Sequence, residues 1–199
     1  MGFDLEGLSP KLKKGTVLPV APDWDKCTDE EKSKYWEEFH KVSEENKGVY
    51  FRSNIWWWHV MVDYVYNFTG EIPEKDYDAW HFNDGHKVDE ERALRIADTL
   101  EILIEKGHAK EHEKMVRAGV EKATKNNLEL GKKIIALQKQ VEEQTGKKEL
   151  SPDDYPKEFK AMWNDLMNEF DLSGASRFSE EFLKTFVVFC KNSGGFKIL

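Results

Sequence analysis

Three side chains with complementary chemistry recur at helical spacing in the segment 54–68. At 100° per residue, Trp56, His59 and Asp63 fall on one strip of this predicted helix. Arg52 projects to the same side if helical geometry is continued backwards. An aromatic ring, an imidazole, a carboxylate and a guanidinium together suit a small polar ligand, because arginine can bind phosphate or carboxylate while the ring stacks. The alternative interpretation is that the strip is the solvated face of an amphipathic helix.

A second polar cluster lies in the segment 80–86, which reads WHFNDGH and runs into the start of a predicted helix at residue 90. Free amides at a helix N-terminus attract anions, so this loop could hold a phosphate. The alternative is a capped turn with surface histidines, since Asn-Asp-Gly is a turn sequence. The two clusters define the candidate ligand-binding residues: Arg52, Asn54, Trp56, His59, Asp63, Trp80, His81, Asn83, Asp84 and His86.

Motifs that would mark an enzyme or a metal centre are missing from the sequence. It has no glycine-rich phosphate loop, no Cys-x-x-Cys and no Gly-x-Ser-x-Gly, so we predict neither catalytic residues nor a cofactor. His108 and His112 have a spacing that can bind zinc, but no third ligand accompanies them, and no metal site is predicted. A hydrolase that uses His59 and Asp63 is the third-ranked hypothesis for function.

Caps and hydrophobic periodicity predict a predominantly α-helical α+β fold. Thr28 and Glu31 form a capping box at the start of one helix, and Gly70 ends the next. Short apolar segments at both ends of the chain and near its centre predict a small sheet. The predicted strands are 2–6, 49–52 and 195–198. The predicted helices are 28–46, 55–68, 90–106, 109–144 (one helix or two), 151–170 and 180–192, with a loop at 71–87.

The segment 116–141 carries apolar side chains at alternating steps of four and three residues, which is the heptad pattern of a coiled coil. Asn127 occupies an a position, where a buried asparagine often sets the register of a two-stranded coil. The pattern predicts either a homodimer through 116–141 or an internal hairpin against 161–170. Two parts of the chain are therefore predicted: an α+β core domain (1–108 and 171–199) and a helical arm or hairpin (109–170).

The charge balance limits the classes of partner. The 199-residue chain has 30 Lys and Arg against 38 Asp and Glu, which gives a net charge of −8. This excess of acid argues against general nucleic-acid binding and against docking on an anionic membrane. No apolar run is long enough to cross a membrane, and two cysteines make no disulfide framework. We therefore expect a cytoplasmic protein.

Segments at both ends and in the centre of the chain resemble a family of small uncharacterised proteins of bacteriophages, prophages and bacterial genomes. The family pattern begins Met-Gly-x-Asp-x-x-Gly-x-x-Pro, continues Gly-x-Tyr-Phe-Arg-Asn-Asn-x-Trp-x-Trp, and closes Ser-Gly-Gly-Phe-x-Ile. This chain has MGFDLEGLSP at 1–10, GVYFRSNIWWW at 48–58, NDGH at 83–86, FSEE at 178–181 and SGGFKI at 193–198. The resemblance implies a shared fold and a phage context but no established activity.

The chain also departs from that pattern. Ser53 stands where the family has Asn, and His59-Val60 stands where Arg-Pro is common. Residues 16–46 look like an insertion. Many family members carry a cysteine-rich, zinc-knuckle-like segment before the last helix, and this chain has the helices of 110–170 in that place. A zinc-dependent role therefore does not follow from the resemblance.

These observations lead to two main hypotheses of different classes. The first is a phage-type, non-enzymatic binding protein that sequesters a small anionic ligand, such as a nucleotide signal of host immunity, in an anti-defence role. The alternative is a protein–protein inhibitor or adaptor that contacts a host protein through the acidic helical arm. Either would act in the host cytoplasm if the protein is phage-encoded.

Overall fold

The computed structural model describes residues 2–199 and confirms a predominantly helical α+β fold. The helices are α1 (Asp29–Glu45), α2 (Ile55–Thr69), α3 (Glu74–Tyr77), α4 (Glu90–Glu105), α5 (His108–Thr145), α6 (Lys157–Asn168) and α7 (Glu180–Ser193). The strands are β1 (Gly2–Gly7), β2 (Tyr50–Asn54), β3 (Lys87–Val88) and β4 (Phe196–Ile198). None of these helices combines the length and apolarity needed to cross a membrane.

The four strands form one antiparallel sheet in the order β2-β1-β4-β3. The three predicted strands are confirmed, and β3 is added because two residues are too short to show a periodic pattern. Phe3 and Leu5 of β1 are buried on one face, whereas Asp4 and Glu6 lie on the other. The strand β2 forms one edge of the sheet.

The core lies between the buried face of this sheet and the helices α2, α4 and α7. Trp58 of α2 stacks on Phe3 with ring centroids 5.4 Å apart. Phe186 of α7 lies 5.4 Å from Phe51 and 6.0 Å from Phe196, so it bridges β2 and β4. The helices α4 and α7 pack against each other. Aromatic burial on this scale supplies most of the hydrophobic stabilisation of the core.

Most helix starts that the sequence predicts are seen in the structure, but the start predicted at residue 151 is wrong, because Ser151 caps only a 3-10 turn over Pro152–Asp154 and α6 begins at Lys157. The Thr28 hydroxyl accepts the amide of Glu31 at 3.2 Å, and the Glu31 carboxylate accepts the amide of Thr28 at 2.8 Å. Gly70 ends α2 in the left-handed conformation, with φ of 70°, which glycine adopts without strain. These ends depend on residues adjacent in the chain, so they can be read from local sequence.

The predicted loop over 71–87 is wrong for its central part. Residues 74–77 form α3, and Asp78–His81 continue as a 3-10 turn. Trp80 within this turn is fully buried and lies parallel to Trp58, with centroids 6.1 Å apart. The burial of this one ring against the core holds the segment in helical turns, which the polar residues around it do not predict.

The chain divides into two compact units, termed the core unit (Met1–Glu113 with Phe178–Leu199) and the hairpin unit (Lys114–Arg177). The sequence analysis placed the corresponding divisions at 108/109 and 170/171. The predicted segment 109–144 is one continuous helix, α5, which begins in the core unit and continues through the hairpin unit.

The heptad face of α5 is buried within the hairpin unit. Leu137 lies beside Leu166 of α6, and Val141 lies beside Tyr155. The Asn127 side chain donates to the carbonyl of Asp171 at 2.7 Å and accepts its amide at 3.0 Å. The asparagine at the a position therefore holds the returning chain of the same molecule, and the homodimer through 116–141 stays a prediction.

Candidate functional site

The turn from β2 into α2 sets the direction of every side chain on α2. Asn54 caps the helix, because its side-chain oxygen accepts the amides of Trp56 at 3.0 Å and Trp57 at 3.2 Å. Asn54 was predicted to bind ligand, but its oxygen is committed to this cap. Its contribution to a site is to fix where the strip on α2 begins.

The predicted polar strip on α2 meets the start of the segment 80–86 in the fold. Four side chains form this contact and are termed the histidine cluster: His59, Asp63, Tyr77 and His81. The rings of His59 and His81 lie edge to face with centroids 4.7 Å apart. The Asp63 carboxylate accepts the Tyr77 hydroxyl and lies 3.6 Å from Nε2 of His81. The strip on α2 and the start of the segment 80–86 are thus neighbours in the fold. Tyr77 was not predicted, because it lies in the segment assigned to a loop.

The charge states in the histidine cluster follow from its surroundings. Burial lowers the pKa of His81 from its ordinary value, and His59 lowers it further, while Asp63 acts in the opposite direction. The hydrogen bond to Asp63, together with burial, raises the pKa of Tyr77 to about 12. Near neutral pH, His81 is therefore uncharged and Tyr77 keeps its proton. This arrangement suits an anchor between α2 and the segment 74–81.

The rest of the segment 80–86 is used to brace the sheet. The Asn83 side chain donates to the carbonyl of Gly2 at 2.9 Å. The amide of Gly85 donates to the carbonyl of Ile198 at 2.9 Å, and the amide of His86 donates to the Asp84 carboxylate at 3.3 Å. These amides were expected to be free for a phosphate, and the structure corrects that expectation.

The helix start after this segment is also capped by the protein itself. The Asp89 carboxylate accepts the amide of Arg92 at 2.8 Å, so an aspartate already occupies the N-terminus of α4. An anion at this position would meet a negative side chain. The predicted phosphate site at this terminus therefore has no support in the geometry.

The two tryptophans of the predicted site differ in exposure. Trp80 is fully buried against Trp58, so its ring cannot stack on a ligand, which corrects its predicted role. Trp56 is 43% exposed and keeps a ring surface accessible to solvent. Trp56 therefore stays a candidate for stacking on a ligand, whereas Trp80 is part of the core.

Arg52 lies on a different face from the histidine cluster. His59 contacts Phe3, on the buried face of the sheet, whereas Arg52 pairs with Asp4 on the opposite face. The Arg52 Nε lies 3.5 Å from the Asp4 carboxylate, and the Arg52 side chain is 68% exposed. The predicted single strip from Arg52 to Asp63 is therefore wrong, because residue 52 is in a strand and strand geometry turns it outward.

Arg52 instead lines a groove of about 410 Å³ between β2 and α7, termed the β2–α7 groove. Three cations, Lys47, Arg52 and Lys184, border it, together with the single carboxylate of Glu181. Its accessible apolar surface comes from Phe182, which is half-buried, and from Val188, which is 44% exposed. Phe51 and Phe189 are buried, and the ring of Phe51 lies 5.3 Å from that of Phe182 and 5.6 Å from that of Phe189, so they support Phe182 from within the core. The groove is a basic, aromatic surface on an acidic protein.

Two of the groove cations already have carboxylate partners. Lys184 lies 2.7 Å from Glu180 and 3.7 Å from Glu181, and Arg52 lies 3.5 Å from Asp4. These lysine and arginine side chains are exposed, and exposed ion pairs contribute little, about 0–1 kcal/mol. An incoming anion can therefore replace or share these partners at small energetic cost.

Of the residues that line this groove, only Arg52 was predicted from the sequence to bind a ligand. Lys184, Phe182 and Phe189 lie more than 125 residues further along the chain, on the helix predicted at 180–192. The basic residues of α7 carry no motif, so no local signal identifies them. Their proximity to Arg52 depends on the packing of α7 against β2.

The histidine pair with zinc-like spacing takes part in aromatic packing. Nδ1 of His108 lies 2.9 Å from the Tyr64 hydroxyl, and the ring of His112 lies 4.8 Å from that of Phe178. Burial, with a smaller effect of His108, lowers the pKa of His112. Within residues 2–199, no group of three His, Cys, Asp or Glu side chains is placed to hold a metal ion.

Comparisons with protein families, curated proteins and solved structures show no match to this chain. The site is therefore interpreted from its own geometry, and the phage-protein resemblance stays a prediction.

Proposed function

We propose that the protein is a non-enzymatic binding protein that captures an anionic ligand in the β2–α7 groove. The observation that carries this proposal is the combination of three cations with an accessible apolar surface formed by Phe182 and Val188. Cations attract phosphate or carboxylate groups, and the apolar surface favours a flat or apolar group beside that charge. The groove volume of about 410 Å³ falls in the usual range for ligand sites.

Holding the ligand without converting it is the activity that this groove supports. Its polar side chains are lysines, an arginine, a threonine, a tyrosine and a glutamate, and it contains no histidine or cysteine. The imidazoles of the histidine cluster lie elsewhere, on α2 and in the turn after α3. Sequestration of a small anion, with nucleotide signals as the first class to test, accords with this chemistry.

A thermal-shift screen tests the proposal. The probes are cyclic mononucleotides, cyclic dinucleotides, ADP-ribose derivatives and short peptides rich in glutamate. A ligand at about 100 times its Kd stabilises the folded state by about 2.7 kcal/mol. For a chain of this length, that corresponds to a rise in Tm of about 5–10 °C.

Two arginine variants make the screen specific. Arg52→Ala should abolish the shift. Arg95→Ala should retain it, because Arg95 is also an exposed arginine paired with carboxylates but lies outside the groove. The recovered ligand should be chemically unchanged, whereas its conversion would favour the hydrolase hypothesis. The absence of an Arg52-dependent shift with every anion would contradict the proposal.

A second function, protein–protein inhibition through the hairpin unit, is favoured by exposed apolar side chains. Leu128 and Ile135, one heptad apart on α5, are 62% and 55% exposed. Met162 of α6, beside a groove of about 400 Å³, is 48% exposed. Leu128 and Ile135 lie on one face of α5, where their exposed side chains are available for contact with a partner. Leu128→Glu with Ile135→Glu should then abolish inhibition of the partner without changing anion binding.

A further inference from the structure

The backbone of β2 has hydrogen-bonding groups that point away from β1, and the register of the sheet shows which residues carry them. The amide of Gly7 donates to the carbonyl of Val49 at 3.0 Å, and the register pairs Leu5 with Phe51. In an antiparallel ladder, hydrogen-bonded pairs alternate with pairs that are not bonded. Phe51 therefore bonds to β1, while the amide and carbonyl of Arg52 point to the free edge of the sheet.

The β2–α7 groove runs along this free edge. Successive residues of a strand point to opposite faces, and the groove is lined by both Phe51 and Arg52. A groove that touches both must lie beside the strand rather than on one face of the sheet. The side of the groove away from β2 is formed by α7, including Lys184 and Phe189.

A ligand in this position can bind both the amide and the carbonyl of Arg52 only if it carries an acceptor and a donor at the spacing found in a strand. An extended peptide meets this requirement, as it does in other proteins that bind peptides by adding a strand to a sheet edge. The peptide's side chains would alternate between the apolar surface of Phe182 and Val188 and the face that carries Arg52. An acidic residue opposite Arg52 and apolar residues on either side of it match both surfaces.

We propose that the β2–α7 groove binds an extended peptide with alternating acidic and apolar residues, which adds to the free edge of β2. This inference rests on the proposed function and names the class of ligand. The positive charge of Arg52 favours an acidic partner. A cation on an edge strand also opposes pairing with a second copy of the same strand.

The test uses a hexapeptide of alternating valine and glutamate, with fluorescein linked to its N-terminal amine and an amide at its C-terminus, and measures its Kd by fluorescence polarisation. Two isomers carry N-methyl groups either on the three glutamates or on the three valines. The isomers have the same composition and charge, but each removes the amide donors from one edge of the extended peptide. They are therefore matched controls for each other.

The rest of the sheet is antiparallel, so we expect the peptide to add in the antiparallel direction. N-methylation of the glutamates should then weaken binding at least about tenfold, because two or more hydrogen bonds to β2 are lost. Methylation of the valines should change the Kd less than about twofold, since those amides point away from β2. Parallel addition would reverse the two results and would still support strand addition. Equal affinities of the two isomers would overturn it.

Substitutions separate failure of this inference from failure of the proposed function. Arg52→Glu should abolish peptide binding, and Arg95→Glu should leave it unchanged. If nucleotides bind in an Arg52-dependent manner and the peptide does not, the peptide inference is overturned and the anion-binding function stands. If neither nucleotides nor the peptide bind, both are overturned.

Discussion

The indole of Trp58 donates a hydrogen bond to the backbone carbonyl of Trp80 at 2.6 Å, and the two rings lie almost parallel, 6° apart. Both residues are fully buried, although they come from α2 and from the turn after α3. The stacked rings and the hydrogen bond to the Trp80 carbonyl together join α2 to the turn after α3. It therefore makes the segment 74–81 part of the core.

Trp80→Ala should lower the free energy of unfolding by about 3–5 kcal/mol, because a large buried ring is replaced by a cavity. Urea denaturation followed by far-UV circular dichroism measures the change. Trp56→Ala is the control, since Trp56 is 43% exposed, and it should have a much smaller effect. A Trp80→Ala protein of normal stability that fails to bind ligand would instead identify Trp80 as a stacking residue.

Tyr77→Phe should lower the free energy of unfolding by about 1 kcal/mol, since it removes a hydrogen bond to the half-exposed carboxylate of Asp63. Tyr66→Phe is the matched control, because the ring of Tyr66 lies only 4.4 Å from that of Tyr77. Hydrogen exchange of the amides in 74–81 should also be faster in Tyr77→Phe. Equal exchange rates in the two variants would show that the Asp63 bond does not hold this segment.

The stability of the protein should fall on mild acidification. The pKa values of His81 and His112 are lowered in the folded state, mainly by burial, so the unfolded state takes up protons more readily. The stabilisation from the neutral imidazoles is complete above their ordinary pKa of about 6.5 and is lost as the pH falls toward the lower folded values. The free energy of unfolding should be smaller at about pH 5.5 than at about pH 7.5.

Variants assign that pH dependence to particular imidazoles. His81→Asn and His112→Asn should each reduce the difference between the two pH values. His40→Asn, which replaces an exposed imidazole on α1, is the control. A pH dependence that is unchanged in the double variant would show that other groups cause it.

Asn127→Ala should loosen the hairpin unit, because it removes both hydrogen bonds to the backbone of Asp171. We expect a loss of about 1–2 kcal/mol in the stability of this unit and faster hydrogen exchange of the Asp171 amide. Asn126→Ala, which changes an exposed neighbour, is the matched control. If Asn127→Ala changed the oligomeric state in sedimentation without changing this exchange, the asparagine would serve a dimer interface.

Local sequence was enough to place most elements of this fold. Thr28 with Glu31, Asn54 and Gly70 act on amides or carbonyls only a few residues away, so their effects can be predicted without the rest of the chain. The same holds for the alternation of buried and exposed residues in β1, which identifies a strand with one buried face. These features account for the successful prediction of the helical α+β class and of three strands.

The candidate site depended on contacts between distant segments. Trp80 was assigned to a ligand because its neighbours are polar, but the core offered its ring an apolar surface that no nearby residue reveals. Asn127 has the same sequence signature whether its partner is a second copy or Asp171 of its own chain.

The sequence alone therefore determined where most of the longer helices and the strands β1, β2 and β4 begin, because caps and periodicity act over a few residues. Only the tertiary structure decided that Arg52 faces Lys184 across a groove, while His59 and Asp63 lie on another face. The reason is physical. A strand directs neighbouring side chains to opposite faces, and which helix covers each face is decided by packing of the whole core.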